Sequence, residues 1–205
     1  MTPKWLKWAA EMQSIAQAGL TFSENKYDLD RYEQLRNLAT LIIHEYTDIP
    51  NEKLKDLFAG ETGYQTPKVD IRAAVFKDDQ ILMVREKIDG RWSLPGGWAD
   101  VNTTVSESAT KESLEEAGAV VVPERIIAIL TADRQYEFVY PYTIYKIFVQ
   151  CKLLDRSFKE NIETYGSEFF GLNNLPELST ERNTLKQIKM CFEAKGKTVF
   201  EALFD

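Results

Sequence analysis

The spacing of apolar residues changes character partway along the chain. In the first part they recur at helical intervals: Trp5, Trp8, Ala9, Met12, Ile15 and Ala16 line one face, and Gly19 follows as a stop. A second helix is expected near Asp30, where Asp30 and Glu33 have the spacing of a capping box. Its stripe is Tyr32, Leu35, Leu38, Ala39, Ile42 and Tyr46. Pro50 suits the first turn of a short third helix carrying Leu54, Leu57 and Phe58. Three such helices enclose a thin core, so this part is expected to pack against the rest of the chain or a second subunit.

Gly60 to Lys68 has the composition of a linker. Beyond it the pattern turns β-rich. Strands are predicted over residues 69–77 and 80–86, joined by a turn at Asp78-Asp79. Further strands are expected over 120–133, interrupted near Pro123, over 142–154, and briefly over 168–172. A helix is predicted over 106–117, and another, capped by Ser179 or Thr180, carries Leu185, Ile188, Cys191 and Phe192. The organisation read from this pattern is a small all-helical domain over 1–62, a linker at 63–68 and an α+β sandwich over 69–205.

Composition narrows the class of protein. Apolar residues make up 44% and charged residues 28% of the 205, an ordinary balance for a soluble protein. A net charge of -7 argues against a non-specific nucleic-acid or membrane-surface binder, which needs a basic face. The first residues, with Lys7 and Glu11 among apolar neighbours, do not read as a signal peptide. Cys151 and Cys191 fall in different predicted elements, which favours a reducing cytoplasm.

Candidate chemistry concentrates in the helix at 106–117. Glu112, Glu115 and Glu116 stand at i, i+3 and i+4 and share a face, while Thr110, Leu114 and Ala117 are expected to point toward a core. Alone, three glutamates would read as a solvated acidic face. Their mutual repulsion is relieved most simply by a divalent cation, and oxygen-only ligands favour Mg²⁺ or Mn²⁺.

The stretch from Gly97 to Ala119 resembles the Nudix box, G-x5-E-x7-R-E-U-x-E-E-x-G-U. Gly97, Glu112, Glu115, Glu116 and Gly118 match in register, and Trp92-Ser93-Leu94-Pro95-Gly96-Gly97 is similar to the run that leads into that box. Three positions depart: Thr103 replaces a Glu, Lys111 an Arg, and Ser113 an aliphatic residue. Lys111 keeps the charge without the planar fork, and Asp100 is a candidate for the charge missing at Thr103. The resemblance implies an α/β/α sandwich with a mixed sheet and a metal-dependent hydrolase of nucleoside diphosphates linked to a group X. In it Glu112, Glu116 and the Gly96 carbonyl would hold Mg²⁺, and Glu115 would reach a second ion. Glu163 is the preferred general base, with Glu160, Glu168 and Glu112 itself as alternatives.

Substrate contacts are expected from Arg72 and Arg85, if outward-facing guanidinium groups meet the pyrophosphate, and from Trp98 just past the box glycine. Tyr136, Phe138, Tyr140, Tyr142 and Tyr145 suit stacking on a base or enclosing a quaternary ammonium, although alternating aromatics more often pack a sheet. His44 reads as structural. Over nearly the whole chain, including the run Val69 to Phe76 and the box opening Gly97 to Asn102, the likeness is to the bacterial Nudix group of CDP-choline or ADP-ribose pyrophosphatases. It implies CDP-choline as substrate, with ADP-ribose, RNA ends or nucleotide binding without turnover as alternatives, and a homodimer formed through the N-terminal helices with Trp5 and Trp8.

Overall fold

The computed structural model describes residues 3–47, 54, 60–132 and 143–205. These form two compact units, one running to Lys68 and taking in Thr143, the other holding the remaining described residues.

In the first unit, α1 (Lys4–Phe22) and α2 (Lys26–Glu45) pack through small side chains. Ala9, Ala16 and Ala39 are fully buried, with Leu6, Ile43 and Leu54 completing the core. Gly19 does not stop α1. A Cβ there would lie 2.4 Å from the Tyr32 ring, so the glycine admits an aromatic side chain of α2. Nor does α2 begin at Asp30. Asn25 caps it, its side-chain oxygen accepting the Tyr27 N–H at 2.9 Å. Close approach through alanines also rotates the expected stripes. Trp8, Ile15, Leu38 and Tyr46 are exposed, while Gln13, Gln17 and Thr40 are buried. The expected third helix lies outside the described residues except for Leu54, which is helical and buried.

The second unit contains β1 (Lys68–Lys77, starting at its boundary), β2 (Gln80–Glu86), β3 (Trp92–Ser93), α3 (Val105–Ala117), β4 (Ala119–Thr131), β5 (Ile144–Arg156), β6 (Thr164–Gly171), α4 (Leu185–Lys195) and β7 (Leu203–Phe204). The sheet runs β3-β2-β1-β5-β4-β7, with β6 on β2. Its β4–β7 pair is parallel and its β4–β5 and β2–β6 pairs antiparallel, so the sheet is mixed. One face packs Ile71, Ala73, Val75, Leu82 and Val84 on Ala109 and Ala117 of α3. The other packs Ala74, Ile81 and Met83 on Ile188, Cys191 and Ala194 of α4, giving an α/β/α sandwich.

Several boundaries move for identifiable reasons. The β4–β5 register shifts between Pro123 and Arg125, where proline lacks a ladder N–H. β6 starts at Thr164 because it pairs along all of β2, from Gln80–Gly171 to Glu86–Thr164. Ser179 does not cap α4: its hydroxyl donates to Asp89 and its N–H to the Trp92 carbonyl. Thr184 takes that place in a capping box with Gln187.

One departure from a regular sheet creates the site. β1 and β2 are paired only at their hairpin, Phe76 with Ile81 and Lys77 with Gln80. The segment from Trp92 to Ala99 fills the opening between them. Trp92 and Ser93 pair with β2, and the Ala73 and Ile71 N–H groups donate to the Pro95 and Gly97 carbonyls at 2.9 and 2.8 Å.

Candidate active site

Gly96 sits at the centre of this inserted segment with φ of 147°, and a Cβ on it would lie 2.0 Å from the Ile71 carbonyl oxygen. Only glycine fits so close to β1. Its N–H donates to Glu116 Oε2 at 2.8 Å, joining the turn to the box helix. A Cβ on Gly97 would meet Glu112 Oε2 at 3.3 Å, so the second box carboxylate borders the same turn.

Helix α3 is fixed at both ends. Thr104 and Glu107 form a reciprocal capping box, and Gly118 ends the helix in the left-handed conformation. The buried face comprises Ser108, Ala109, Ser113, Glu116 and Ala117. This corrects the expected core face: Leu114 is exposed, and Ser113 packs inward where an aliphatic residue would be usual. Its hydroxyl donates to the Ala109 carbonyl at 2.7 Å, which satisfies the group inside the helix.

The three glutamates occupy different environments. Glu116 is buried, and its carboxyl is pushed up to about 8 by burial, against the lowering effects of Arg72 and the Gly96 N–H, with Glu86 and Glu112 adding like charge. Glu112 is half-buried and also raised, first by burial and then by Glu115 and Glu163, while Lys111 and Arg72 oppose the shift. Glu115 is exposed and lies 3.7 Å from Lys111 Nζ. Lys111 also binds Asp100 at 2.6 Å, so Asp100 serves as the partner of the lysine that stands in the arginine position. Thr103 donates to the Asp100 carbonyl at 2.7 Å and shares a hydrogen bond with Ser108.

Beneath the turn lies a layer of buried charge. Arg72 is fully buried and forms two bonds of 2.8 Å to the Asp70 carboxylate, with a third at 3.2 Å to the Leu94 carbonyl. The expectation of an outward-facing guanidinium at Arg72 is therefore corrected. Residues 70 and 72 point to the same side of β1, and opposite charges two apart on an otherwise apolar strand pair inward. Lys146 of β5 joins them, 3.8 Å from Asp70 and donating to the Arg182 carbonyl at 2.6 Å. Burial, followed by the nearby Arg72, lowers this amine to about 7. Glu86, also buried, accepts the Ser93 hydroxyl at 2.6 Å.

The other sequence candidates separate. Glu163 sits in the turn before β6, its N–H donating to Asn161 Oδ1, and its charge acts on Glu112. Asn161 also donates to the Glu115 carbonyl at 2.9 Å, tying this turn to the end of α3. Glu160 pairs with Lys87 at 2.8 Å, and exposed Glu168 acts on Arg156. Arg85 donates to the Gly90 carbonyl at 2.8 Å. Trp98 is about half exposed and bridges Asp70 through its backbone. Tyr136, Phe138, Tyr140 and Tyr142 lie outside the described residues; Tyr145 is partly exposed on β5, and His44 is exposed in the last turn of α2.

Among the described residues, no three His, Cys, Asp or Glu side chains gather into a ready-made metal cage. The residues nevertheless fit a hard divalent cation. Glu112 and Glu116 supply only oxygen donors, and their carboxyls, raised first by burial and in smaller part by neighbouring negative charge, would be kept ionised by a cation. Mg²⁺ commonly takes one or two carboxylates and completes its shell with water and substrate phosphates.

Sequence reading missed Asp70, Glu86, Lys146 and Asn183. Charged residues inside apolar strand runs signal the first three. Asn183 had no local signal, because its side-chain oxygen accepts the Leu94 N–H from 89 residues away.

Comparisons with known proteins agree with this geometry. Residues 66–187 match the model of the NUDIX domain, and residues 3–58 match that of a UDP-X-like, N-terminal oligomerisation domain. The chain is 42% identical over 202 residues, 97% of each chain, to a protein of Bacillus subtilis described as a putative ADP-ribose pyrophosphatase. A crystal structure of an ADP-ribose pyrophosphatase from Streptococcus suis is 44% identical, covering 68% of this chain and 100% of its own, with a TM-score of 0.64. A UDP-X diphosphatase structure is 31% identical across 98% of both chains, again with a TM-score of 0.64. The domain match, these relatives and the glutamates on α3 together show that the chain belongs to the Nudix family and is a Nudix hydrolase.

Proposed function

We propose that the protein cleaves the pyrophosphate of a nucleoside diphosphate linked to X, with ADP-ribose as the leading substrate. The observation that carries this reading is the buried Glu116 carboxylate held on the Gly96 N–H, with Glu112 beside the same turn. ADP-ribose is favoured because two full or partial relatives carry that activity in their descriptions. CDP-choline rests on the family resemblance alone, and the aromatic stretch that would suit choline lies mostly outside the described residues.

In this proposal Glu112 and Glu116 would hold Mg²⁺, or Mn²⁺ in its place, together with the Gly96 carbonyl, and Glu115 would reach a second ion. The bound cation would offset charge on the pyrophosphate oxygens and acidify the attacking water. Glu163 would take a proton from the attacking water, a role supported by the bonds through which Asn161 ties its turn to the end of α3 and by its charge acting on Glu112. Trp98, partly exposed beside the box glycine, gives X or the base an apolar surface. Arg72 acts from below, where its buried charge holds the turn and favours ionised Glu116. The helical unit pairs two copies, an assignment that its match to an oligomerisation domain supports.

The test is a Mg²⁺-dependent screen of ADP-ribose, CDP-choline, UDP-sugars and 5′-triphosphorylated RNA in ¹⁸O-labelled water. AMP and ribose 5-phosphate are expected from ADP-ribose, with label in one product. Preferential turnover of CDP-choline would replace the substrate assignment, turnover of RNA alone would move the activity to nucleic-acid ends, and tight binding without hydrolysis would make the protein a nucleotide sensor.

A further inference from the structure

The inserted turn is held by bonds from four separate parts of the chain. Glu86 of β2 binds Ser93, Arg72 of β1 binds the Leu94 carbonyl, and the Ile71 and Ala73 N–H groups bind the Gly97 and Pro95 carbonyls. Glu116 of α3 binds the Gly96 N–H. A further bond comes from outside the box and its strands. The Asn183 side-chain oxygen accepts the Leu94 N–H at 2.8 Å in a fully buried setting. Arg72 and Asn183 thus grip the two peptide groups of one residue, two positions before Gly96.

Asn183 is itself held rigidly. Its N–H and that of Arg182 donate to the Ser179 carbonyl, each at 2.9 Å, and Ser179 is bound in turn to Trp92 and Asp89. The next residue, Thr184, caps α4. A backbone fixed by a capped helix and a bonded turn narrows where the side-chain oxygen can sit, as pre-organised chemistry requires. The need is greatest here, because Gly96, as glycine, has the widest choice of backbone conformations, and the bonds around it select its positive φ.

We propose that Asn183 is a positioning residue of the hydrolase: through the Leu94 N–H it sets the register of the turn that presents Gly96 to Glu116. Losing it leaves a buried N–H without an acceptor and lets the turn relax away from α3. Outlying partners of this kind typically change metal affinity or activity about 10–100-fold. The inference rests on the box turn being the reacting centre and is independent of the identity of X.

The experiment compares Asn183→Leu, which removes the acceptor at similar volume, with Asn183→Asp, which keeps an acceptor oxygen at the same place. Turnover is measured on whichever diphosphate the wild type cleaves. Asn183→Leu is expected to lower kcat by at least about 10-fold with KM within about 2-fold and native circular dichroism, and Asn183→Asp to recover most of the loss. Amide exchange at Leu94 and Gly96 should quicken in Asn183→Leu, and calorimetric titration with Mg²⁺ alone should show weaker binding; neither depends on turnover. If Asn183→Leu does not fold, Asn183→Ala, which removes the acceptor without a new apolar branch, should give the same kcat loss at constant KM. Unchanged kcat per folded molecule with unchanged exchange at Leu94 overturns the proposal, as does equal impairment of the Leu and Asp variants. A wild type that cleaves no diphosphate, with exchange and Mg²⁺ binding altered as expected, would refute the proposed function and leave the positioning role standing.

Discussion

The two units of this protein depart from ordinary burial in opposite directions. The helical unit leaves large apolar groups in solvent: Trp8 is 59% exposed, Leu38 and Leu41 50%, and Phe22 70%. The hydrolase unit buries charge: Asp70, Arg72, Glu86, Glu116 and Lys146 are all nearly inaccessible. Exposed apolar surface on a thin two-helix core suits a partner, in line with the oligomerisation-domain match. Buried charge is costly unless paired, so a cluster of it beneath a glycine turn marks a place where electrostatics is kept for chemistry. Among the described residues, one unit thus carries exposed apolar surface that a second copy would cover, and the other buried carboxyls that a cation would neutralise.

The sharpest way to break that contrast is to remove charge from the hydrolase unit. Glu116→Gln is expected to lower kcat by about 10²-fold or more while the fold is kept, since the amide avoids ionising a buried carboxyl. Wild-type turnover in that variant would remove Glu116 from the reacting centre. Glu163→Gln should cost about 10²-fold in kcat with little change in KM and should flatten the acidic limb of the pH–rate profile, and an unchanged profile would assign the base elsewhere.

A smaller effect should appear in the pH dependence of stability. Glu116 is raised in the fold from its ordinary value of 4.5 to about 8, so its contribution to stability is fully present below 4.5 and is lost as the pH rises through 8. Metal-free protein should therefore lose stability over that interval, and Mg²⁺ should raise Tm more at its upper end than at its lower end. Lys146 works in the opposite sense. Lowered in the fold from 10.5 to about 7, it lets stability rise with pH across that range. The difference between wild type and Glu116→Gln isolates the carboxyl, and parallel Tm curves for the two would refute its titration.

The mildest change to folding falls on the other unit. Trp8→Glu with Leu38→Glu alters exposed positions and should shift unfolding free energy by only about 0.5 kcal/mol per site, yet convert the assembly to monomers in analytical ultracentrifugation. A dimer that survives both changes would place the interface elsewhere.

Much of this organisation was legible before any coordinates. The β1–β2 hairpin, the box helix to within a residue and the α+β class followed from period and turn chemistry, which act over a few residues. Helix ends were less legible. Gly19 reads as a stop in one dimension and as room for the Tyr32 ring in three. Leu114, expected in the core, is exposed, while Ser113 on the buried face satisfies its hydroxyl on the Ala109 carbonyl.

What the sequence determined by itself is therefore local: acidic residues one helical turn apart, glycines at a fixed distance before them, and the strands on either side. The fates of those groups were decided by tertiary structure. That Arg72 reaches the Leu94 carbonyl, that Glu116 is buried while its neighbour Glu115 is exposed, and that Asn183 grips a residue 89 positions away all depend on segments distant in sequence. Dielectric environment and hydrogen-bond partner are properties of the space around a side chain, and that space is assembled only when the chain has folded.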